Sequence, residues 1–513
     1  MSTHPAPAGD HTDVPSRPSR RGCFRVEAAT LALMIVAGGV ALIVGIGTRS
    51  YDYDELTRAH SAWLTAQGLR PYTDYFECHP PYFPLLVPIV RACRDPVDLL
   101  RALRLLGIAG NLLFLAGLGR LVTTSPGDRR WGWLGLGVVA LDPAVLEFLV
   151  EFRVDGWGYA LATWTLIGAT RARPGPRRDL GLGLGTGLAA FLFCPKLALL
   201  PPMIVVFAML GNWRSARSAF RIAAAYAAGT ATAGGLVALL LVTQGIRFED
   251  VFQLLVRYHT IANATSSFHR GLIRSILDQP VLLGVTCFGL TAWAIDRIHR
   301  RSWPGPVEAG LAAWLGLQAI LVAYPYKQYY APWFLFASVY LAYLGMGRAG
   351  RPGRLRATFF VLTAGLASVG ALGRARAWAD ADEARHQGIV IRWMGRVAGP
   401  GEYVVAAPPF HPIDRRDSFF LWFNTIDPGG FDSETILGRL PSYRDRASPA
   451  HFLGELVAHP PALVTLSDRG MPVFYTAGQF AALREFLARN GYRAVRRGDG
   501  EFAVRPDRLE AAR

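Results

Sequence analysis

Asp52-Tyr-Asp54-Glu55, continued by Asp74-Tyr-Phe-Glu77-Cys-His79-Pro80-Pro81, forms an acid-rich polar loop directly after the first strongly apolar run, Val26 to Gly47. That run is long enough to cross a hydrocarbon core of about 30 Å. Arg17, Arg20, Arg21 and Arg25 precede it, so it reads as a retained signal anchor. Residues 1–25 then form a disordered cytoplasmic tail, rich in Ser, Pro, His and Asp at its start. Acids held beside a membrane are costly unless they do chemistry, so the loop at 49–98 is where function is expected.

Working outward, apolar stretches recur through the first three quarters of the 513 residues, and only 18% of the chain is charged. Mean hydropathy is +0.24. The fold class expected is an α-helical polytopic membrane protein with about eleven spans, near 26–48, 99–122, 131–150, 154–171, 180–194, 196–210, 218–243, 280–298, 306–323, 329–347 and 355–373. The two around Pro195 are short and read as separate helices, one broken helix or a re-entrant pair.

The net charge of +16 comes mostly from Arg in short loops between apolar runs. That is better explained by positive cytoplasmic loops than by nucleic acid, which is not an expected partner. Arg129 and Arg130, then Arg171, Arg173, Arg177 and Arg178, then Arg214, Arg217 and Arg221, then Arg297, Arg300 and Arg301, then Arg348, Arg351, Arg354 and Arg356 follow every second span. The intervening loops, and everything after Gly373, are expected on the extracytoplasmic side. This arrangement puts the acidic loop, Glu151-Phe-Arg153-Val-Asp155, Cys194-Pro195-Lys196, residues 244–279 and Tyr324-Pro-Tyr-Lys327-Gln328-Tyr329-Tyr330 at one membrane face.

Residues 374–513 change character. β-like runs at Tyr403-Val-Val-Ala-Ala, Phe419-Phe-Leu-Trp-Phe, Ala462-Leu-Val-Thr-Leu and Tyr492-Arg-Ala-Val alternate with helical stretches near 377–397 and 477–490. The division expected is a membrane domain over 26–373 followed by a small soluble α/β domain over 374–513.

Each candidate site residue has a structural reading beside the functional one. Asp54 stands at a helix start and would serve as an N-cap, but an interfacial acid of raised pKa also suits a general base. Glu55, Asp74 and Glu77 add acids that one cap does not need. Arg153, with Glu151 and Asp155, is either a hairpin ion pair or an anion-binding fork. Lys196 either snorkels or serves a site. Lys327 and Gln328 are harder to dismiss than Tyr330, which reads as an interface anchor. His259 and His269 read as loop surface. Asp52-x-Asp54 has the form of a DxD motif able to hold Mg²⁺ or Mn²⁺ with a substrate phosphate. The chain has no P-loop, HExxH or GxSxG in context. None of its five cysteines forms a CxxC pair. Cys78 and Cys93 lie in or near one loop, leaving a disulfide between them open.

Together these residues resemble the GT-C glycosyltransferases, the group that includes the protein O-mannosyltransferases and the lipid A aminoarabinose transferases. The resemblance rests on Asp54-Glu55, on Gly68-Leu-Arg-Pro71-Tyr72-x-Asp74-Tyr-Phe-Glu77-x-His79-Pro80-Pro81, on Arg153-x-Asp155, on Lys196 and on Gln328-Tyr329-Tyr330. It implies inverting transfer of a hexosyl or pentosyl unit from a polyprenyl-phosphate donor to a glycan, lipid or protein acceptor. Asp54 would be the base and Glu77 would position substrate. Arg153 and Lys196, with His79 and Lys327, would neutralise the departing lipid phosphate. The family's aminoarabinose transferases carry a lysine just after the second acid, where Cys78 and His79 stand here. The rival reading is a transporter or flippase of lipid-linked sugars, which would bury its ionisable groups near the membrane midplane.

Overall fold

The computed structural model describes residues 20–124, 128–171, 175–211, 215–265, 271–300, 305–322, 326–345, 353–406, 408–420, 426–427, 431–466 and 477–513. Arg173, Arg214, His269, Arg301, Tyr324, Arg348, Arg351 and most of the 1–25 tail lie outside the described residues.

Each expected span falls on a helix. In chain order these include α1 (Arg20–Thr48), the amphipathic α2 (Tyr53–Ala66), α3 (Pro96–Thr124), α4 (Arg129–Ala140), α5 (Pro143–Val150), α6 (Asp155–Arg171), α7 (Pro176–Leu188), α8 (Leu200–Gly211) and α9 (Ala216–Thr243). They continue with α10 (Pro280–His299), α11 (Pro306–Leu321), α12 (Lys327–Ser338), α13 (Gly353–Ala381) and α14 (Glu383–Val397). The count of eleven is not what length and composition give. Among the described residues five helices are long and apolar enough to cross a membrane, or six if the bent pair α4–α5 is one span. Two breaks in the chain shorten others. Asp142 caps α5 by accepting from Ala144 N at 2.9 Å, and Pro143 starts α5, so the pair bends by 75°. Beyond α7, a wide turn at Ala189–Phe193 ends at Cys194, and Pro195 restarts the chain in a tight 3₁₀ turn leading into α8.

The helices turn apolar residues outward, with Ile35, Ile43, Leu366 and Val369 among the large exposed ones. Such faces are lipid-facing in a multi-pass membrane protein. Inside the bundle α7 and α9 cross at nearly backbone contact. A Cβ on Gly183 would lie 2.1 Å from the Tyr226 carbonyl, and one on Gly229 2.1 Å from the Leu180 carbonyl. Small residues of this kind let helices approach closely where water supplies no driving force.

Helix α13 runs unbroken through Gly373 to Ala381, and α14 leads into the C-terminal α/β part. Strands β1 (Tyr403–Val405), β2 (Arg416–Asp417), β3 (Pro461–Thr465), β4 (Arg493–Arg497) and β5 (Gly500–Val504) form one sheet, ordered β2-β1-β3-β5-β4. β1 pairs in parallel with β2 and β3, and β5 pairs antiparallel with β3 and β4. The expected strand at Phe419 is absent at Phe419 and Phe420, and the rest of that run lies outside the described residues. Phe420 instead turns its carbonyl to Phe76 N at 3.0 Å and its ring against Phe76. Tyr443 Oη donates to the Tyr72 carbonyl at 2.9 Å, and Arg446 donates to that of Thr73 at 3.2 Å. The C-terminal part is thereby stitched onto the acidic loop.

Candidate active site

Helix α2 is built by its own first turn. Asp52, not Asp54, is the N-cap, accepting from Asp54 N at 3.0 Å, while Glu55 accepts from Asp52 N at 2.9 Å. This reciprocal capping box satisfies two backbone donors and points Asp54 away from the cap. Asp54 meets Arg153 Nη1 at 2.5 Å and Arg58 Nη1, one helical turn on, at 3.4 Å. Burial by itself would raise the Asp54 carboxyl, but the Arg58 and Arg153 guanidiniums, with His79 beside them, outweigh it. They hold it well below the usual carboxylate range. The expectation of a raised pKa is therefore corrected: the tertiary fold brings two guanidiniums against this acid.

Glu55 is 1% exposed. Arg104 grips it through Nε at 2.8 Å and Nη2 at 2.7 Å, and Phe152 N donates to it at 2.9 Å. Arg104 also donates to the carbonyls of Arg49 and Ser50 at 2.7 and 2.5 Å. Glu55 thus pins α2 to α3 and to the turn before α6. Glu77 is likewise buried, accepting from Ser61 Oγ at 2.6 Å and from the backbone of Cys78 and His79 at 2.9 and 3.0 Å. His79 Nδ1 lies 2.6 Å from the same carboxylate. Asp74 sits apart, bound to Arg70 at the exposed edge of the loop.

The turn after α5 supplies Arg153, and other elements supply the remaining cations. Arg153 reaches Glu151 at 2.8 Å as well as Asp54, so its fork is filled by carboxylates. Lys327 bridges Glu151, Glu147 at 3.3 Å and Asp52 at 3.6 Å. Arg49 pairs with Glu151, and Arg374 with Glu147. Asp155 meets Lys196 at 3.4 Å. The Lys196 ammonium lies 3.9 Å from the centre of the Tyr329 ring and 3.4 Å from the Gln328 carbonyl. The structure therefore gathers Asp54, Arg153, Asp155, Lys196, Lys327, Gln328 and Tyr329 around one end of the bundle, with Glu77 and His79 on the neighbouring loop.

Sequence reasoning missed several participants. Arg58 is buried, and its Nε and Nη1 have no hydrogen-bond partner among the described residues. Its position four residues after Asp54 was the available signal. Arg104, Glu147 and Arg374 carried none, because their partners are distant in sequence, as is Glu151, which Arg49 meets. His259 lies against the acidic loop, with Nε2 2.9 Å from the Cys78 carbonyl, and burial lowers its imidazole to about 4.

The donor chemistry does not favour a metal at the DxD pair, since Asp52 and Asp54 already face Arg49, Arg153 and Lys327. Glu77, Cys78 and His79 bring three donor atoms within 4.8 Å of one another. Burial pushes the Cys78 thiol well above its ordinary value. Cys78 and Cys93 are both free thiols.

Among solved structures the chain is similar to ArnT from Cupriavidus metallidurans in the apo state, with 12% identity and a TM-score of 0.54 over 93% of this chain and 97% of that one. It is similar also to ArnT from that organism bound to undecaprenyl phosphate, with 13% identity and a TM-score of 0.56 over 95% of this chain and 98% of that one. No protein-family model matches the sequence, and no curated protein matches it. At such identity the likeness establishes the fold, which is the ArnT-like GT-C fold.

Proposed function

On the premise of that GT-C fold, we propose that the protein is a membrane glycosyltransferase that moves a sugar from a polyprenyl-phosphate donor to an acceptor hydroxyl, with inversion, at the extracytoplasmic face. The N-terminus is cytoplasmic in this reading and the C-terminal α/β part extracytoplasmic, following the arginine bias of alternate loops. The observation that carries the proposal is the juxtaposition of ionised Asp54 with buried Arg58, whose Nη1 pairs with Asp54 at 3.4 Å and whose Nε has no hydrogen-bond partner among the described residues. A buried guanidinium N–H left open costs stability, on the order of 1–3 kcal/mol, unless a ligand completes it. A phosphate is the ligand whose charge and shape fit. The undecaprenyl phosphate bound to the similar ArnT supports a lipid phosphate in this role.

In the proposed step the acceptor oxygen attacks the anomeric carbon and the bond from that carbon to the phosphate oxygen breaks. The electron pair leaves with the polyprenyl phosphate, and the acceptor's proton passes to Asp54. Arg58 and Lys196 stabilise the charge growing on the departing phosphate. Asp54 begins as a weak base because Arg58 and Arg153 stabilise its anion. A donor phosphate that draws Arg58 toward itself returns basicity to Asp54 when it is needed. Positioning of substrate by Glu77 and His79, and a phosphate contact from Lys327, belong to the same proposal. Positions of the ionisable groups at helix ends and on α2, which lies outside the spans, support an enzyme over a transporter.

The test is transfer from a labelled polyprenyl-phosphate sugar by membranes holding the wild type or Asp54→Asn. Turnover by the wild type and its loss in the variant is expected. Equal turnover by both would remove Asp54 from the mechanism.

A further inference from the structure

A second buried cluster lies on another face of α2 from Asp54, where the helix meets the C-terminal part. His60 Nδ1 is 2.6 Å from the Ile413 carbonyl, and its Nε2 is 2.5 Å from Asp417 Oδ2. His411 Nε2 is 3.1 Å from Asp417 Oδ1, and its Nδ1 is 2.9 Å from Ile413 N. Both imidazoles are wholly buried and the Asp417 carboxylate nearly so.

The protons in this cluster can be assigned. A carbonyl only accepts, so His60 Nδ1 carries a hydrogen. Its Nε2 then faces a carboxylate, and a contact of 2.5 Å between two acceptors needs a proton between them. The Ile413 N–H only donates, so His411 Nδ1 is the bare nitrogen and its Nε2–H donates to Asp417. The three donor groups lie within 4.8 Å of one another, as metal ligands would. A metal at His411 Nε2 would require the proton to move to Nδ1, which faces the Ile413 N–H. The cluster is therefore a proton-held relay of His60, Asp417 and His411.

The relay closes around a strained residue. Ile413 has φ +65°, a left-handed conformation that a β-branched residue rarely adopts. Such a backbone persists only where its surroundings over-determine it. Here its carbonyl accepts from one histidine, its N–H donates to the other, and its buried side chain joins the cluster of Leu56, Ala59, Tyr82, Phe83 and Phe152. Leu56 and Ala59 lie on α2, and Phe152 precedes Arg153. A parallel tie runs from Gln387 of α14, which accepts from Tyr51 N at 2.7 Å and donates to the Tyr51 and Pro409 carbonyls.

We infer that the C-terminal part is a positioning element for the proposed reaction: the His60–Asp417–His411 relay, with Ile413 wedged between its histidines, clamps α2 and thereby fixes Asp54 and Arg58. This rests on the transferase reading above. His60 and Asp417 act as positioning residues, since the Asp54 cage lies on another face of the helix. The charged groups packed around the relay are Asp417 and Asp414, with Arg415 paired to Asp414 at 2.9 Å. On α2 itself Trp63 stacks on His60 with ring centres 5.8 Å apart.

The experiment uses the full chain in lipid nanodiscs, comparing wild type, His60→Gln, Asp417→Asn and the double variant. Amide hydrogen exchange, binding of undecaprenyl phosphate and sugar transfer are measured on each. A clamp predicts faster exchange in 53–66 and 408–417 in every variant, with β3 and β5 still protected. It also predicts a fall in kcat on the order of 10²-fold, the scale set by a misplacement of about 1 Å. Binding of undecaprenyl phosphate should change less than kcat, and the double variant should lose no more than the worse single one. Should Asp417→Asn fail to accumulate, His411→Gln removes the outer arm alone and carries the same readout. Unchanged exchange in 53–66, additive losses, or stoichiometric metal in the purified wild type that His60→Gln releases would each overturn the proposal. Absence of transfer by the wild type, with the exchange changes intact, would refute the transferase reading and leave the clamp standing as a structural device.

Discussion

Replacing Arg58 with Met keeps most of the buried stem and removes the charge. The guanidinium lies 3.4 Å from Asp54 Oδ2 and is otherwise short of partners, so two effects follow. The donor phosphate loses a charge-assisted hydrogen bond, worth roughly 1.5–3 kcal/mol. That corresponds to a fall of about 10- to 150-fold in kcat/KM. Asp54 also loses one of the two cations that stabilise its anion, an attraction of up to about 4 kcal/mol at this range for an effective dielectric near 20. Its carboxyl therefore rises from far below the usual range toward it. Asp54 works as the anion, so activity present above its pKa is lost as pH falls through it. In the wild type that limb lies below the usual carboxylate range, and in Arg58→Met it moves upward toward it. The assay is initial-rate transfer from a labelled polyprenyl-phosphate sugar, taken across pH for both proteins. A variant whose kcat/KM stays within about twofold of wild type and whose acid limb does not move would refute both halves of the reasoning.

Glu55→Gln removes the charge that answers Arg104 inside the bundle, and leaving one partner of a buried pair alone costs about 3–5 kcal/mol. Detergent-solubilised protein should show a clearly lowered melting temperature, and an unchanged one would mean that Glu55 is not the pin described. Asp74→Asn breaks an exposed pair with Arg70, worth about 0–1 kcal/mol, so transfer kinetics and melting should both stay near wild type. Burial, aided by the neighbouring His60 charge, lowers the His411 imidazole to about 4. Protonation then favours the unfolded form from about pH 6.5 downward, so the stability of the C-terminal part should decline progressively between about pH 6.5 and 4, by up to about 3 kcal/mol. Asp417, which burial would raise but His60 and His411 hold low, acts in the same direction. Thermal melts across that interval test this, and a His411→Gln variant should show a shallower decline.

The membrane class was legible because lipid imposes it one-dimensionally: backbone groups must be satisfied within each helix, so apolar runs announce helices wherever they occur. Helix positions followed, whereas the number of spans did not, since the break at Asp142-Pro143 bends an element that hydropathy alone treats as whole, and the break at Cys194-Pro195 leaves short helices on either side. The acidic loop was legible because so many acids beside a membrane need partners. Which acid does what was not. Asp54 and Glu55 are adjacent in sequence, yet one projects toward Arg58 and Arg153 while the other turns inward to Arg104. The capping box at Asp52 decides that difference, together with cations from elements up to about a hundred residues away.

By itself the sequence determined that this is a multi-helix membrane protein with its reactive groups collected near one end, and which short motifs merit attention. Only the tertiary structure decided that Asp54 is held ionised, that Glu55 is a pin, that Arg58 is buried with its Nε open, and that His60 meets Asp417 across 357 residues of chain. Hydropathy and capping act between near neighbours and so are written locally. Charge interactions fall off with distance in space rather than along the chain, and only folding sets those distances.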